Sequence, residues 1–206
     1  RSSVIYLFNS HLRDNVEFEV VRASASAAVN PVEAIMADPV SRESFRALMN
    51  MRGRFHVEHI RDGQVLSQFA LPNGIVDVGL NSILEVYFHS GTQITTWYLG
   101  LIDNAGFSAL AAADTSASHA GWTESTAYSN ANRPTWTAGT AASRSITNAA
   151  TVDFLINTGA TIKGIFVISN NTKGGTTGTL WATAAFGSTV AVINGDTLKI
   201  TYTVSG

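Results

Sequence analysis

The chain has no cysteine among its 206 residues. That removes disulfides, thiolate nucleophiles and cysteine-ligated zinc or iron–sulfur sites together, and it leaves the redox compartment open. Basic residues are few as well. There are 13 Lys and Arg against 15 Asp and Glu, a net charge of −2, so no global field draws the chain to nucleic acid or inserts it among anionic lipids. No apolar run approaches the roughly 20 residues that span a bilayer. The opening segment, Arg1 to Phe8, is basic then apolar but lacks the apolar stretch of a signal peptide. It does not begin with Met, as expected of a processed product, a fragment or an incompletely defined reading frame.

What is present is apolar and unevenly charged. Hydrophobic residues make up 45% of the chain, enough for a sizeable core. Residues 1–62 hold eight Arg and eight Asp or Glu, whereas residues 63–206 hold only five basic and seven acidic side chains in more than twice the length. The change falls near Met51–Gly53 and predicts a charged arm over 1–52 in front of a domain over 53–206. Within the arm, Val16 to Val21 reads as a short strand. Ser41 caps a short helix carrying Phe45, Leu48 and Met49. Such a helix is marginal alone and needs a partner surface. Met51 is an alternative start, with the arm then a gene-model extension.

From Gly53 onward the pattern is that of strands. Phe55, Val57 and His59 alternate with His56, Glu58 and Ile60, and Asp62-Gly63 supplies a hairpin turn before Gln64 to Leu71. Val76, Leu80, Ile83, Leu84, Tyr87 and Phe88 recur at helical spacing between Asn73-Gly74 and Ser90-Gly91, which predicts one amphipathic helix. Short apolar stretches then alternate with turn clusters: 95–102, 123–128, 135–138, 152–156, 161–168, 180–186, 190–193 and 198–204. About ten short strands and one helix predict an antiparallel two-sheet sandwich of jelly-roll or Ig-like kind. The intervening segments are too short for the crossover helices of a parallel sheet.

Several constellations carry residue types capable of chemistry. His56, Glu58 and His59 suggest a metal site, but strand geometry puts His59 on the face opposite the other two. Asp114, Ser116, Ser118 and His119 hold the types of a hydrolytic triad, crowded into one small-residue loop without a Gly-x-Ser-x-Gly elbow. A loop capped by its own Asp and Ser hydrogen bonds is the plainer reading. Asp103, Asp114, Glu124 and Asp153 are the carboxylates from which a glycosidase pair would be drawn. The run 171–178 has the wrong residue order for a phosphate loop and reads as a wide hairpin connection. Among the aromatics, Trp97 and Tyr98 should point to opposite sheet faces. Trp122, Tyr128 and Trp136 are the candidates for an outward platform that stacks on sugar rings. The residues by themselves therefore predict a non-catalytic module without cofactor or resident metal, the alternatives being a glycan-binding module and a polysaccharide hydrolase.

Trp97–Asp103 (WYLGLID), Asp114–Tyr128 (DTSASHAGWTESTAY), Arg133-Pro134, Lys173–Thr183 (KGGTTGTLWAT) and Gly195–Val204 (GDTLKITYTV) resemble, in the same order, a family of tailed-bacteriophage virion structural proteins. Its members are capsid-decorating, head-fibre or tail-associated. The resemblance covers 53–206 and leaves the arm out. It implies a location in the virion, binding to other virion proteins such as the major capsid protein, and a homo-oligomer with a trimer favoured. It supplies no catalytic or ligand-binding residue.

Overall fold

The computed structural model describes residues 51–206, so the strand expected at Val16–Val21 and the helix expected at Ser41–Met49 lie outside the described residues. In chain order the elements are β1 (Arg52–Arg61), β2 (Gln64–Pro72), β3 (Gly74–Ile75), α1 (Asp77–Phe88), β4 (Trp97–Asp103), β5 (Glu124–Ser125), β6 (Thr135–Trp136), β7 (Ser145–Thr147), β8 (Val152–Leu155), β9 (Ala160–Ile168), β10 (Leu180–Val192) and β11 (Thr197–Ser205). They form two antiparallel sheets packed face to face, as the strand pattern predicts, with α1 lying against β10.

Alternation builds the first sheet, ordered β2-β1-β11-β7 with β8 also beside β11. Phe55, Val57 and His59 of β1 turn inward, and Leu198, Ile200, Tyr202 and Val204 of β11 do the same. Asp62 and Gly63 between β1 and β2 have φ of 50° and 77°. Both lie in the left-handed region, the turn whose twist matches a two-residue hairpin.

The second sheet runs β3-β10-β9-β4-β5, with β6 also on β4. Its central strands are covered on both faces, so they are apolar without alternation. Leu99, Leu101, Ile165 and Val167 face the first sheet; Ile102, Phe166 and Ile168 face outward, under Trp122, Phe107 and Leu110 of the 104–123 segment. Trp97 and Tyr98 divide between these two layers, in keeping with the strand alternation. Gly100 pairs with Phe166 across β4 and β9, and a Cβ there would strike the Phe166 ring.

Three details depart from the sequence reading. The stretches expected at Leu180–Phe186 and Val190–Ile193 merge into one strand, β10, which ends at Val192 and has a register shift between Ala185 and Val190 that absorbs the Gly187 region. β3 and β7, of two and three residues, were not anticipated because they are too short to carry a period. The third departure concerns α1. It packs through Gly79 against the Trp181 backbone, where a Cβ would come within 2.6 Å of the carbonyl oxygen, and Val76 and Ile83 reach the apolar clusters. Leu80, Leu84, Tyr87 and Phe88 do not: they are 42%, 53%, 80% and 77% exposed. The close approach at Gly79 turns only part of the apolar arc inward.

The Gly100 contact is testable. Gly100→Ala should destabilise the domain by about 1–3 kcal/mol through overpacking against Phe166. Gly187→Ala, with nothing near its added methyl, should carry no packing penalty. Urea denaturation of both variants checks the contrast.

Candidate functional site

The strand containing His56, Glu58 and His59 splits these residues between two environments. His56 Nε2 lies 3.5 Å from Glu58 Oε1 on the outer face. His59 is buried and donates from Nε2 to Asp196 Oδ2 at 2.8 Å. The Asp196 carboxylate also accepts Arg61 Nε and Nη2, at 2.7 and 2.8 Å, and the Ile193 amide at 2.9 Å. One buried acid thus fastens the end of β1 to the turn between β10 and β11. The Arg61 guanidinium, aided by the Ile193 amide and His59, holds the Asp196 carboxyl well below the usual carboxylate range against the opposing effect of burial. The cluster is a structural latch.

Of the loop residues with triad chemistry, Asp114, Ser116 and His119 have side chains committed elsewhere, and Ser118 is exposed. Asp114 Oδ2 accepts the Trp122 indole N–H and the Ala111 amide, both at 2.9 Å. Ser116 donates from Oγ to the Gly178 carbonyl at 2.6 Å. His119 donates from Nδ1 to the Trp122 carbonyl at 2.9 Å and stacks on that indole, 4.0 Å between ring centres. Thr115, not Ser118, supplies the side-chain oxygen that caps the turn, accepting the Ser118 amide at 3.0 Å. Asp114, Ser116 and His119 therefore form no Ser–His–Asp relay, whose members must hydrogen-bond in series.

A cleft of about 260 Å³ lies beside this loop, with His119, Trp122, Glu124, Arg133, Phe166 and Gly174 among its walls. Its charged residues are bound to one another. Glu124 and Arg133 are almost completely buried and paired at 2.7 Å, with Arg133 Nε reaching the second Glu124 oxygen at 2.9 Å. Arg133 also donates to the carbonyls of Asn170 and Gly175. Glu124 accepts the Gly174 amide at 2.7 Å and the Tyr128 hydroxyl at 3.3 Å. Lys173 donates to the carbonyls of Tyr128 and Asn130. The 171–178 run is thus the connection between β9 and β10, tied down from its inner side. The other two carboxylates are engaged as well: Asp103 accepts the Ala105 amide, and Asp153 pairs with Lys199 at 3.2 Å.

The aromatic platform is corrected by burial. Trp122, Tyr128 and Trp136 are 3%, 0% and 8% exposed, so no ring face is open for a sugar to stack on. Trp122 lies over Phe166 and Tyr128 packs edge-on to Phe154, while Trp136 meets Tyr202. These rings fill layers in which large side chains are needed.

Four of the nine exposed large apolar side chains among the described residues lie on α1. Its exposed ridge of Leu80, Leu84, Tyr87 and Phe88 adjoins Ile83, which walls a shallow cavity of about 200 Å³ together with Trp97, Trp136, Ile146, Trp181 and Val204. Nothing polar is offered there by Trp136 or Trp181. Their indole N–H groups donate to the Tyr202 carbonyl at 3.2 Å and to the Tyr202 hydroxyl at 2.8 Å. Helical spacing marked the ridge residues as the apolar side of an amphipathic helix.

Two outcomes test the latch and the buried pair. The Asp196 pKa is lower folded than unfolded, so its stabilisation is complete above about pH 4 and is lost as pH falls below that. Asp196→Asn should cost about 3 kcal/mol at pH 7 and should flatten the acid limb of a denaturation-midpoint series. Arg133→Leu should cost about 3–5 kcal/mol by leaving Glu124 buried without a cation, read by the same denaturation. No protein-family model matches the chain, and no curated protein matches it in sequence.

Proposed function

We propose that this protein is a structural component of a tailed-bacteriophage virion. In this reading it decorates or stabilises the capsid, or forms a fibre-like attachment, by self-association and by binding other virion proteins. The observation that carries it is the apolar ridge of α1. Soluble monomers seldom keep several large apolar side chains exposed side by side, and such patches mark contact surfaces. Two further points support the reading. The side chains suited to catalysis are held in buried pairs, caps and carbonyl contacts. The sequence resemblance to virion proteins falls on the same 53–206 domain.

Mass spectrometry of purified particles should find the chain's peptides, and the purified protein should co-sediment with phage heads that lack it. A stable monomer that leaves heads unbound, and is absent from particles, would overturn the proposal.

A further inference from the structure

We infer that the corner of the five-stranded sheet carrying Arg52, Arg54 and Arg144 is a docking surface for an acidic segment of another protein, whose carboxylates pair with the three guanidinium groups. The inference goes beyond the virion reading and does not depend on it.

These three arginines are set apart by the engagement of every other cation. Eight Lys and Arg fall among the described residues. Arg61, Arg133 and Lys199 pair with Asp196, Glu124 and Asp153, while Lys163 and Lys173 donate to backbone carbonyls. Arg52, Arg54 and Arg144 are exposed. None of them has an acidic partner among the described residues.

Topology brings them to one place. Arg52 and Arg54 project from the outer face of β1, with buried Gly53 between them. The strand register carries Arg52 across Ser205 of β11 to Ser145 of β7, and Arg54 across Thr203 to Thr147. Arg144 directly precedes Ser145, so strand spacing sets the three backbones within about 10 Å of one another. The ground between them is made of short hydroxyl side chains, Thr203 donating to Thr147 at 3.0 Å. The next acid along the outer face of β1 is Glu58, roughly 13 Å from Arg54 along the strand and beyond the ~8 Å screening length. Glu58 already faces His56 and stands opposite Lys199. A carboxylate at Gly206 would offset only one of the three charges.

The backbone at Arg144 is an independent observation. Ser143 and Arg144 form the two-residue tip of a hairpin closed by two bonds of 2.9 Å between Ala142 and Ser145, and their φ values are 50° and 59°. Asn and Gly suit such a turn, whereas Ser and Arg enter the left-handed region only under strain. The Gly206 amide, donating to the Arg144 carbonyl at 3.0 Å, helps to hold the tip. Strained residues gather where a ligand is clamped. An arginine kept in a glycine position therefore points to a contact made by its side chain.

The chemistry of the corner selects the occupant. A guanidinium fork matches a carboxylate with two parallel hydrogen bonds. Nucleic acid is held through a longer track of phosphate contacts and by stacking on exposed rings, and a saccharide also needs a ring face. The corner offers three charges and no exposed aromatic.

Fluorescence anisotropy of a labelled oligoglutamate peptide, titrated with the full chain, provides the test. Binding should weaken as salt is added. Arg52→Gln, Arg54→Gln and Arg144→Gln should each raise the dissociation constant about threefold to fivefold, and the triple variant should not bind. Lys199→Gln makes the same change in net charge on the same sheet and should leave binding unchanged. Arg144→Gly separates binding from folding: it should weaken binding as Arg144→Gln does while raising the melting temperature, because glycine relieves the turn. Failure of the wild type to bind oligoglutamate overturns the inference, as does a loss on Lys199→Gln equal to that of the arginine variants. Tighter binding of duplex DNA than of oligoglutamate overturns the protein partner. Arginine-dependent binding of oligoglutamate by a chain that leaves phage heads unbound upholds this surface and counts against the virion role alone.

Discussion

The outer face of the six-stranded sheet is covered by chain without regular secondary structure, and that arrangement governs much of the rest. Irregular backbone pressed onto an apolar face must find partners for its amides and carbonyls within the protein. Segment 104–123 does so through the Ser108 amide to Gly121, the Asp77 amide to Ala112 and the Asp103 amide to Thr123. Side chains complete the task. Asp114 takes the Trp122 indole N–H, Ser116 takes the Gly178 carbonyl, and the buried Glu124–Arg133 pair gathers the 170–175 connection over the same face. The residues with the greatest chemical capability are in this way consumed by cover.

A similar economy operates between the sheets. Tyr202 stacks on Phe55 at 4.4 Å and accepts hydrogen bonds from Trp181 and Asn73 through its hydroxyl. Burial raises its phenol pKa, so the hydroxyl remains a neutral partner throughout the physiological range. With the donors of Trp136 and Trp181 also turned to Tyr202, the adjoining end of the sandwich is left apolar. Beside it stands α1, whose exposed ridge lies outside both apolar clusters of the domain. Interior chemistry is closed on itself, and the surface offers packing. That contrast is what the proposed structural role rests on.

Much of this was legible residue by residue. The Asp62-Gly63 turn, the alternation of β11 and the Gly-rich hairpin at 171–178 are local events, decided by backbone conformation and a two-residue period. The opposed faces of His56 and His59 also follow from strand geometry alone. The partners of those residues were not legible. Asp196 lies 137 positions from His59 and Arg133 lies 42 from Gly175, and no periodicity links positions so far apart. The three aromatics considered as a platform were misplaced for a related reason. A Trp or Tyr near polar residues reads the same whether it caps a surface or fills a layer, and here Trp122 fills the layer over Phe166.

The helix shows where the division falls. Its existence and its apolar arc were set by the sequence, because spacing of three and four residues is a property of the chain. Which part of that arc is buried was decided by tertiary structure. Gly79 meets the Trp181 backbone and sets the face that turns inward, leaving Leu80, Leu84, Tyr87 and Phe88 outside. The same holds for the whole domain. Local pattern and turn chemistry determined an antiparallel sandwich, since they act between near neighbours. The latch at Asp196, the buried Glu124–Arg133 pair and the exposed ridge arose only when distant strands met, because burial and hydrogen-bond partners belong to the assembled fold.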